Sequence, residues 1–370
     1  MIETKAFYDA LLARQMDFFA GVPDSLLQNL CACIQGNSPK ERNIIAANEG
    51  NAVGIAAGYH VATGRYGVVY MQNSGQGNTV NPLLSLADED VYRVPMLLII
   101  GWRGEPGVHD EPQHVKQGKV TLGLLDAMGI AYRVLDDDYE GHLNACHEYL
   151  KTEGKPIALI VRKDAFTPCK APKAAARFTM SREQALEHIL SAVGEEALVV
   201  STTGKTSREI FEIRERRGQD HKHDFLTVGS MGHTASIALG FSLGTDRPVW
   251  CVDGDGSFLM HMGGMAVAAS VAGPNYHYVL INNGAHESVG GQPTVALDID
   301  VAGVLKAVGF RMVIGVRTPE ELEAGLQRVA GEPLAALVIY VNQGSRPELG
   351  RPTIAPEQNK RDMMALLGSR

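Results

Sequence analysis

Short runs of unbroken apolar residues alternate with helix-like stretches along this chain, and the alternation stops near the middle and starts again. In the first series, helical stretches such as FYDALLARQM, SLLQNLCACI and NAVGIAAGYHVATG are interleaved with DFFAGV, RNIIAA, YGVVYMQ, VPMLLIIG and PIALIVR. Strands that are apolar at every position are buried on both faces, as in a parallel sheet flanked by helices. The Pro-, Ala- and Lys-rich stretch RKDAFTPCKAPKAAARFTM then breaks the pattern and predicts a linker over 166–180. SREQALEHILSAV restarts it, with Ser181 as helix cap and Glu183 and Gln184 in the first turn. ALVVSTTG, DFLTVGS, TASIALGFSLG, PVWCVDGDGS, HYVLINN, FRMVIGV and AALVIYV follow. The reading is α/β, with two doubly wound parallel-sheet domains over 1–165 and 181–370 and no fixed-period repeat.

A chain of 370 residues with 45% hydrophobic content suits two such domains. A net charge of −8 without a Lys- and Arg-rich block argues against nucleic acid as a partner. No apolar run approaches the roughly 18 residues of a membrane span. The amino-terminal MIETKAFYDALLARQMDFFAGVPDS lacks the apolar core of a signal peptide, so a cytoplasmic protein is expected. Cys31, Cys33, Cys146, Cys169 and Cys251 are scattered without CxxC spacing, which reads as free thiols.

VVSTTGKTSRE, residues 199–209, contains the second half of a nucleotide-binding loop, but Val199 stands where the first glycine belongs. Strand, turn and helix with Lys205 at the turn is the better description. More chemistry lies in VWCVDGDGSFLMHMGGMAVAASVAGPNYHYVLINNGAHESVGG, residues 249–291. One strand ends at Gly254-Asp255-Gly256, a helix is expected to begin at Ser257, and the next strand ends at Asn282-Asn283. Asp255 and Asn283 at neighbouring strand ends offer oxygens to a hard cation such as Mg²⁺ holding a diphosphate, with Gly254 and Gly256 leaving room for phosphate. An EF-hand reading fails, because Phe258 stands at the sixth position of that loop and Gly264 at the twelfth. A plain strand-to-helix turn remains the simpler alternative for GDG taken alone.

GDGSF followed by INN resembles the diphosphate and metal motif of thiamine-diphosphate enzymes. The resemblance implies Asp255, Asn283 and the Ala285 carbonyl as Mg²⁺ ligands, with Ser257 beside the diphosphate. It also implies Glu49 in ANEGNA as partner of the aminopyrimidine ring, and Gly229 and Met231 in VGSMGHTASIALG as groups that bend the cofactor. GVPDSLL, MQNSGQGN, IGWRGEPGVHDEPQHVKQGK, STTGKTSRE, NGAHESVGGQPT and LGRPTIAPEQNK look like signatures of the phosphonopyruvate decarboxylases. That family implies the thiamine-diphosphate-binding fold without a middle domain, and decarboxylation of phosphonopyruvate to phosphonoacetaldehyde in phosphonate and antibiotic biosynthesis. It also implies a homo-oligomer, at least a dimer, with active sites between subunits. Sulfopyruvate is the alternative substrate on the same scaffold.

A substrate with a carboxylate and a phosphonate calls for cations, and Arg103, His114, Lys116, Lys205 and Arg208 are the candidates, with Ser25 as a polar group for the substrate. Lys116 and Arg208 read equally well as solvated surface charges. Asp24 and Ser25 lie where related decarboxylases place polar groups over the reacting carbon, although PDSLL is also a good helix start. His114 is the histidine best suited to proton transfer. His233 and His286 read as structural neighbours of the cofactor segments, and Asp253 as support for the metal ligands.

Overall fold

The apolar runs become strands in a computed structural model that describes residues 1–170, 175–194 and 196–368. The chain divides into two units, Met1–Lys173 with Ser288–Gln292, and Ala174–Glu287 with Pro293–Arg370. Residues 171–174, inside the expected linker, lie outside the described residues. Next to them, Phe166 bridges to Ile2 in the first unit, and Ser181 to Asn342 in the second.

The first unit contains β1 (Phe18–Gly21), β2 (Asn43–Ile45), β3 (Gly67–Gln72), β4 (Met96–Gly101), β5 (Ala131–Val134) and β6 (Ile157–Val161). They form one parallel sheet in the order β2-β1-β3-β4-β6-β5. Alternate residues feed separate cores on its two faces. Phe19, Val68, Tyr70, Leu97 and Ile99 belong to one, and Ala20, Val69, Met71, Leu98 and Ile100 to the other. Burial on both sides explains why the sequence shows continuous rather than alternating apolar character.

In the second unit the strands are β7 (Leu198–Ser201), β8 (Asp224–Leu226), β9 (Val249–Gly254), β10 (Tyr276–Asn282), Met312–Val316 and Ala335–Tyr340. The last two occupy one edge, and the order continues through β10, β9, β7 and β8, again all parallel. Counted along its own unit, each sheet therefore runs 2-1-3-4-6-5. The chain leaves the first strand towards one side, then returns to build on the other. This reversal opens a crevice at the carboxyl ends of the first and third strands, where ligands of open α/β sheets bind. The loops after β1 and β3, and after β7 and β9, thus occupy the positions where chemistry is expected.

The Ser181 cap is present, with Gln184 completing a capping box on the helix Arg182–Ala192. Two differences from the sequence reading, at Ser257 and Ser25, stand out. The helix after β9 begins at Asp255 rather than Ser257, ends at Met260 and is followed by a second helix, Gly263–Val271. The helix Pro112–Ala127, with proline in its first turn, carries His114 and Lys116. No helix begins at Ser25, since the helix after β1 starts at Gln28 with Leu27 at the cap position. Among the described residues no helix is long and apolar enough to cross a membrane, and all five cysteines are free.

Candidate active site

At the carboxyl edge of the first sheet, Glu49 opens the helix Glu49–Thr63, whose cap Asn48 accepts from the Asn51 N–H. Glu49 is buried, and its Oε2 accepts a 2.7 Å hydrogen bond from Asn78 Nδ2. Burial pushes its pKa up, and the Asn78 bond offsets part of that rise. Gly75, in the turn after β3, lies against the carboxyl group, and a Cβ there would sit 2.3 Å from Oε1. The fold thus holds a protonatable carboxyl, buried, at a fixed position.

Asp24 follows β1 and is fully buried. It accepts from Gln72 Nε2 at 2.7 Å and from the Leu26 N–H at 3.2 Å. Burial raises its pKa too, against the pull of Gln72 and the nearby Arg103 charge. Arg103, just beyond β4, forks onto Asp110, with Nε to Oδ2 at 2.7 Å, and turns Nη1 to Ser25 Oγ at 2.7 Å. Asn73 fixes the same residue through its backbone carbonyl at 2.7 Å. Asp24, Ser25, Gln72, Asn73 and Arg103 therefore form one polar network over the ends of β1, β3 and β4. His114 is buried on the first turn of Pro112–Ala127, while Lys116 is exposed.

In the second unit, Gly254 pairs with Ile281, which brings Asp255 and Asn283 to adjacent strand ends. Asp255 is buried, and its hydrogen bonds come from neutral donors, the Thr294 hydroxyl and the backbone N–H groups of Gly256 and Asn283. Burial lifts its pKa to about 6. Asn283 Oδ1 accepts from the Ala285 N–H at 3.0 Å, a turn that brings the Ala285 backbone alongside. Gly284 between them has φ +67, and a Cβ on it would strike Leu297 Cδ1 at 2.4 Å. A Cβ on Gly256 would lie 3.0 Å from Met231 Cε, so the Met231 side chain reaches over the turn after β9. Met231 and Gly229 follow β8, flanking Ser230 in the left-handed region at φ +53, and Ser257 Oγ accepts from the Gly232 N–H at 3.1 Å. Asp253 is buried between Tyr278 Oη, at 3.1 Å, and the Gly254 N–H, at 2.9 Å.

Among the described residues no group of three or more His, Cys, Asp or Glu side chains could hold a metal ion. A cation here would rest on one carboxylate, one amide and one backbone carbonyl, from Asp255, Asn283 and Ala285. A buried carboxylate held by neutral donors fits that role, because a bound cation removes the cost of burying its charge.

Lys205 is the first residue of the helix Lys205–Arg216, after Gly204 at φ +93. Val199 is a buried strand residue registered between Asp224 and Trp250, so the backbone cannot curl there into a nucleotide-binding loop. Lys205 Nζ donates to Glu287 Oε1 at 2.9 Å. Arg208, half-buried, lies one turn further along the same helix. His286 is buried with its pKa lowered to about 4 by desolvation, and His233 is exposed beside His261, with ring centroids 4.6 Å apart.

Several participants were not singled out by sequence reasoning: Gln72, Asn78, Thr294, Arg182 and above all Glu287. Glu287 sits inside the quoted NGAHESVGG, and an acidic residue just past a buried strand end was the available signal.

Comparison with known proteins gives a match for each unit. Residues 3–128 match the thiamine pyrophosphate enzyme N-terminal TPP binding domain, and residues 202–340 the C-terminal TPP binding domain. A phosphonopyruvate decarboxylase of Streptomyces viridochromogenes is 33% identical over 368 residues, covering 94% of this chain and 90% of that protein. Another, of Streptomyces hygroscopicus, is 34% identical over 359 residues, covering 92% and 87%. A sulfopyruvate decarboxylase of Methanosarcina acetivorans is 27% identical over 372 residues, covering 94% and 93%. With two thiamine-pyrophosphate domain matches on two parallel α/β units, and full-length similarity to both Streptomyces enzymes, the chain belongs to the thiamine-diphosphate-dependent decarboxylase family that includes the phosphonopyruvate decarboxylases.

Proposed function

We propose that this enzyme decarboxylates 3-phosphonopyruvate to phosphonoacetaldehyde and CO₂, with thiamine diphosphate and Mg²⁺, as a step of phosphonate biosynthesis. The observation that carries the cofactor part is Glu49, a buried carboxyl with a raised pKa, held by Asn78 at the carboxyl edge of its sheet. The bound cofactor supplies the electron sink that takes up the pair left when CO₂ departs. Glu49 holds a proton for the aminopyrimidine. Asp255, Asn283 and the Ala285 carbonyl hold Mg²⁺ against the diphosphate, Gly254, Gly256 and Ser257 line its approach, and Gly229 with Met231 supports the cofactor's shape. In this reading residues 1–165 bind the pyrimidine, 166–180 link, and 181–370 bind the diphosphate.

Arg103 with Ser25, and Lys205 with Arg208, are assigned to the substrate's anionic groups. Both Arg103 and Lys205 are already paired with carboxylates, Asp110 and Glu287. Each is thereby fixed in place, and its charge is offset until an anion binds. Asp24, without exposed surface, acts by holding Gln72 and biasing Arg103. His114 is the assigned proton donor. Sulfopyruvate is the second reading, supported by the Methanosarcina relative. CO₂ release from each substrate, with and without thiamine diphosphate, tests both. Dependence on the cofactor with faster phosphonopyruvate turnover is expected, and faster sulfopyruvate turnover would reverse the substrate assignment.

A homo-oligomer with shared active sites is also proposed. Thr234–Gly244 and Gly263–Val271 are built almost wholly of small and apolar residues and leave Leu243, Val267 and Val271 more than half exposed. Helices apolar around their circumference are normally covered.

A further inference from the structure

Glu287 is a mostly buried carboxylate that receives hydrogen bonds from three side chains. Arg182 Nη1 donates to Oε2 at 2.8 Å, Lys205 Nζ to Oε1 at 2.9 Å, and Asn283 Nδ2 to Oε2 at 2.9 Å. Arg182 is itself anchored by a bidentate pair with Glu209, at 2.7 and 2.8 Å. Arg182 and Glu209 are almost fully buried, so the group that holds Glu287 is rigid. A carboxylate only accepts, so the Asn283 atom it faces must be the NH₂. The amide oxygen is thereby turned to the opposite side, where the Ala285 N–H uses one of its two lone pairs. The other is left for a ligand. Without Glu287 the Ala285 N–H alone would oppose a half-turn of the amide, which would offer NH₂ where a cation needs an oxygen.

We infer that Glu287 is a positioning residue of the cation site, fixing the Asn283 side chain so that its oxygen is the ligating atom. This rests on the proposed role of Asn283 as a metal ligand. Partners that orient metal ligands typically contribute 10–100-fold to metal affinity. Two features distinguish the assignment from a structural ion pair. Asn283 donates to Oε2, which it shares with Arg182, and not to the Oε1 that Lys205 holds, and Arg182 has its own bidentate pair with Glu209 that does not involve Glu287.

The test is binding of Mn²⁺, a paramagnetic substitute for Mg²⁺, to the full-length protein saturated with thiamine diphosphate, read from the loss of the free-ion resonance signal. Glu287→Asp keeps the negative charge beside Arg182 and Lys205 but withdraws the carboxylate from Asn283 by one methylene. Glu287→Ala removes both. Each is expected to weaken Mn²⁺ binding, Glu287→Ala by about 10–100-fold and Glu287→Asp by less. Because the effect runs through Asn283, Glu287→Asp should cause less than about a threefold change when Asn283→Ala is already present. If Glu287→Ala does not fold, Glu287→Asp alone decides. Wild-type affinity in the folded single variants, or an equal loss in the Asn283→Ala background, overturns the inference while leaving the metal ligands in place. Wild-type affinity in Asn283→Ala itself would remove the ligand assignment and this inference with it.

Discussion

Burial at the start of its helix gives Glu49 one side-chain hydrogen-bond donor, Asn78, and a pKa above the usual carboxylate range. The folded protein therefore binds the Glu49 proton more tightly than the unfolded chain does. As pH rises past the ordinary glutamate value near 4.3, the unfolded state gains the preference, and the penalty grows until the folded pKa is passed. Glu49→Gln should thus raise the melting temperature of the cofactor-free protein at pH 7, with the gain vanishing below about pH 4. The same variant should retain cofactor binding and lose at least ~100-fold in turnover, which steady-state CO₂ release would measure. Gly75→Ala tests the geometry rather than the proton. Its Cβ would fall 2.3 Å from Glu49 Oε1, so the carboxyl must move, and a shift near 1 Å costs about 100-fold in rate. Wild-type turnover in Gly75→Ala would show that the position of Glu49 does not matter. At this scale the sequence pointed to the candidates that motifs carry, Glu49, Asp255 and Asn283. It concealed Asn78, Thr294 and Glu287, because a hydrogen-bond partner is chosen by three-dimensional proximity and leaves no spacing signature.

Elements were legible where burial was complete. β3, β4, β6, β9 and β10 are apolar runs, nearly every residue of them buried, and each appears where the pattern predicts. β5, AYRV, was not anticipated: it is an edge strand, half exposed, and lacks the run that identifies its neighbours. The helices Tyr139–Glu153 and Pro319–Ala330 also went unrecognised, although the second has a Thr318 cap, proline in its first turn and two glutamates there. A related dependence on long-range partners governs β8, a short edge strand held to the helix Lys205–Arg216 by a buried fork. Arg214 Nε and Nη2 donate to Asp224 at 3.0 and 2.9 Å, and both side chains are nearly inaccessible. Breaking a buried pair from one side strands a charge, while replacing both members by apolar groups does not. Arg214→Met should destabilise the protein by about 3–5 kcal/mol in urea unfolding, and adding Asp224→Leu should recover most of that loss. A small effect of Arg214→Met would mean that water reaches Asp224 at little cost.

The two units repeat one topology, 2-1-3-4-6-5, without a repeat visible in the sequence. Strand order depends on which apolar run lies beside which, and residue identity does not encode that order directly. In the proposed reading each unit supplies a different half of the chemistry: the first a protonatable carboxyl at Glu49, the second an oxygen cluster around Asp255. If each active site combines the first unit of one subunit with the second unit of another, the two halves can be inactivated on different chains and restored by mixing. Glu49→Gln chains keep Asp255, and Asp255→Ala chains keep Glu49. Each homodimer is inactive, whereas each mixed dimer has one intact site and one doubly damaged site. Random exchange of equal amounts makes half of the dimers mixed, so activity should return to about a quarter of wild type. The measurement is CO₂ release after the variants are unfolded together and refolded, against the same variants refolded separately and then combined without exchange. Recovery in the first sample and none in the second establishes a shared site. No recovery in either, with mixed dimers confirmed by affinity tags, would mean that both halves of every site come from one chain, and the oligomer would no longer be needed for catalysis.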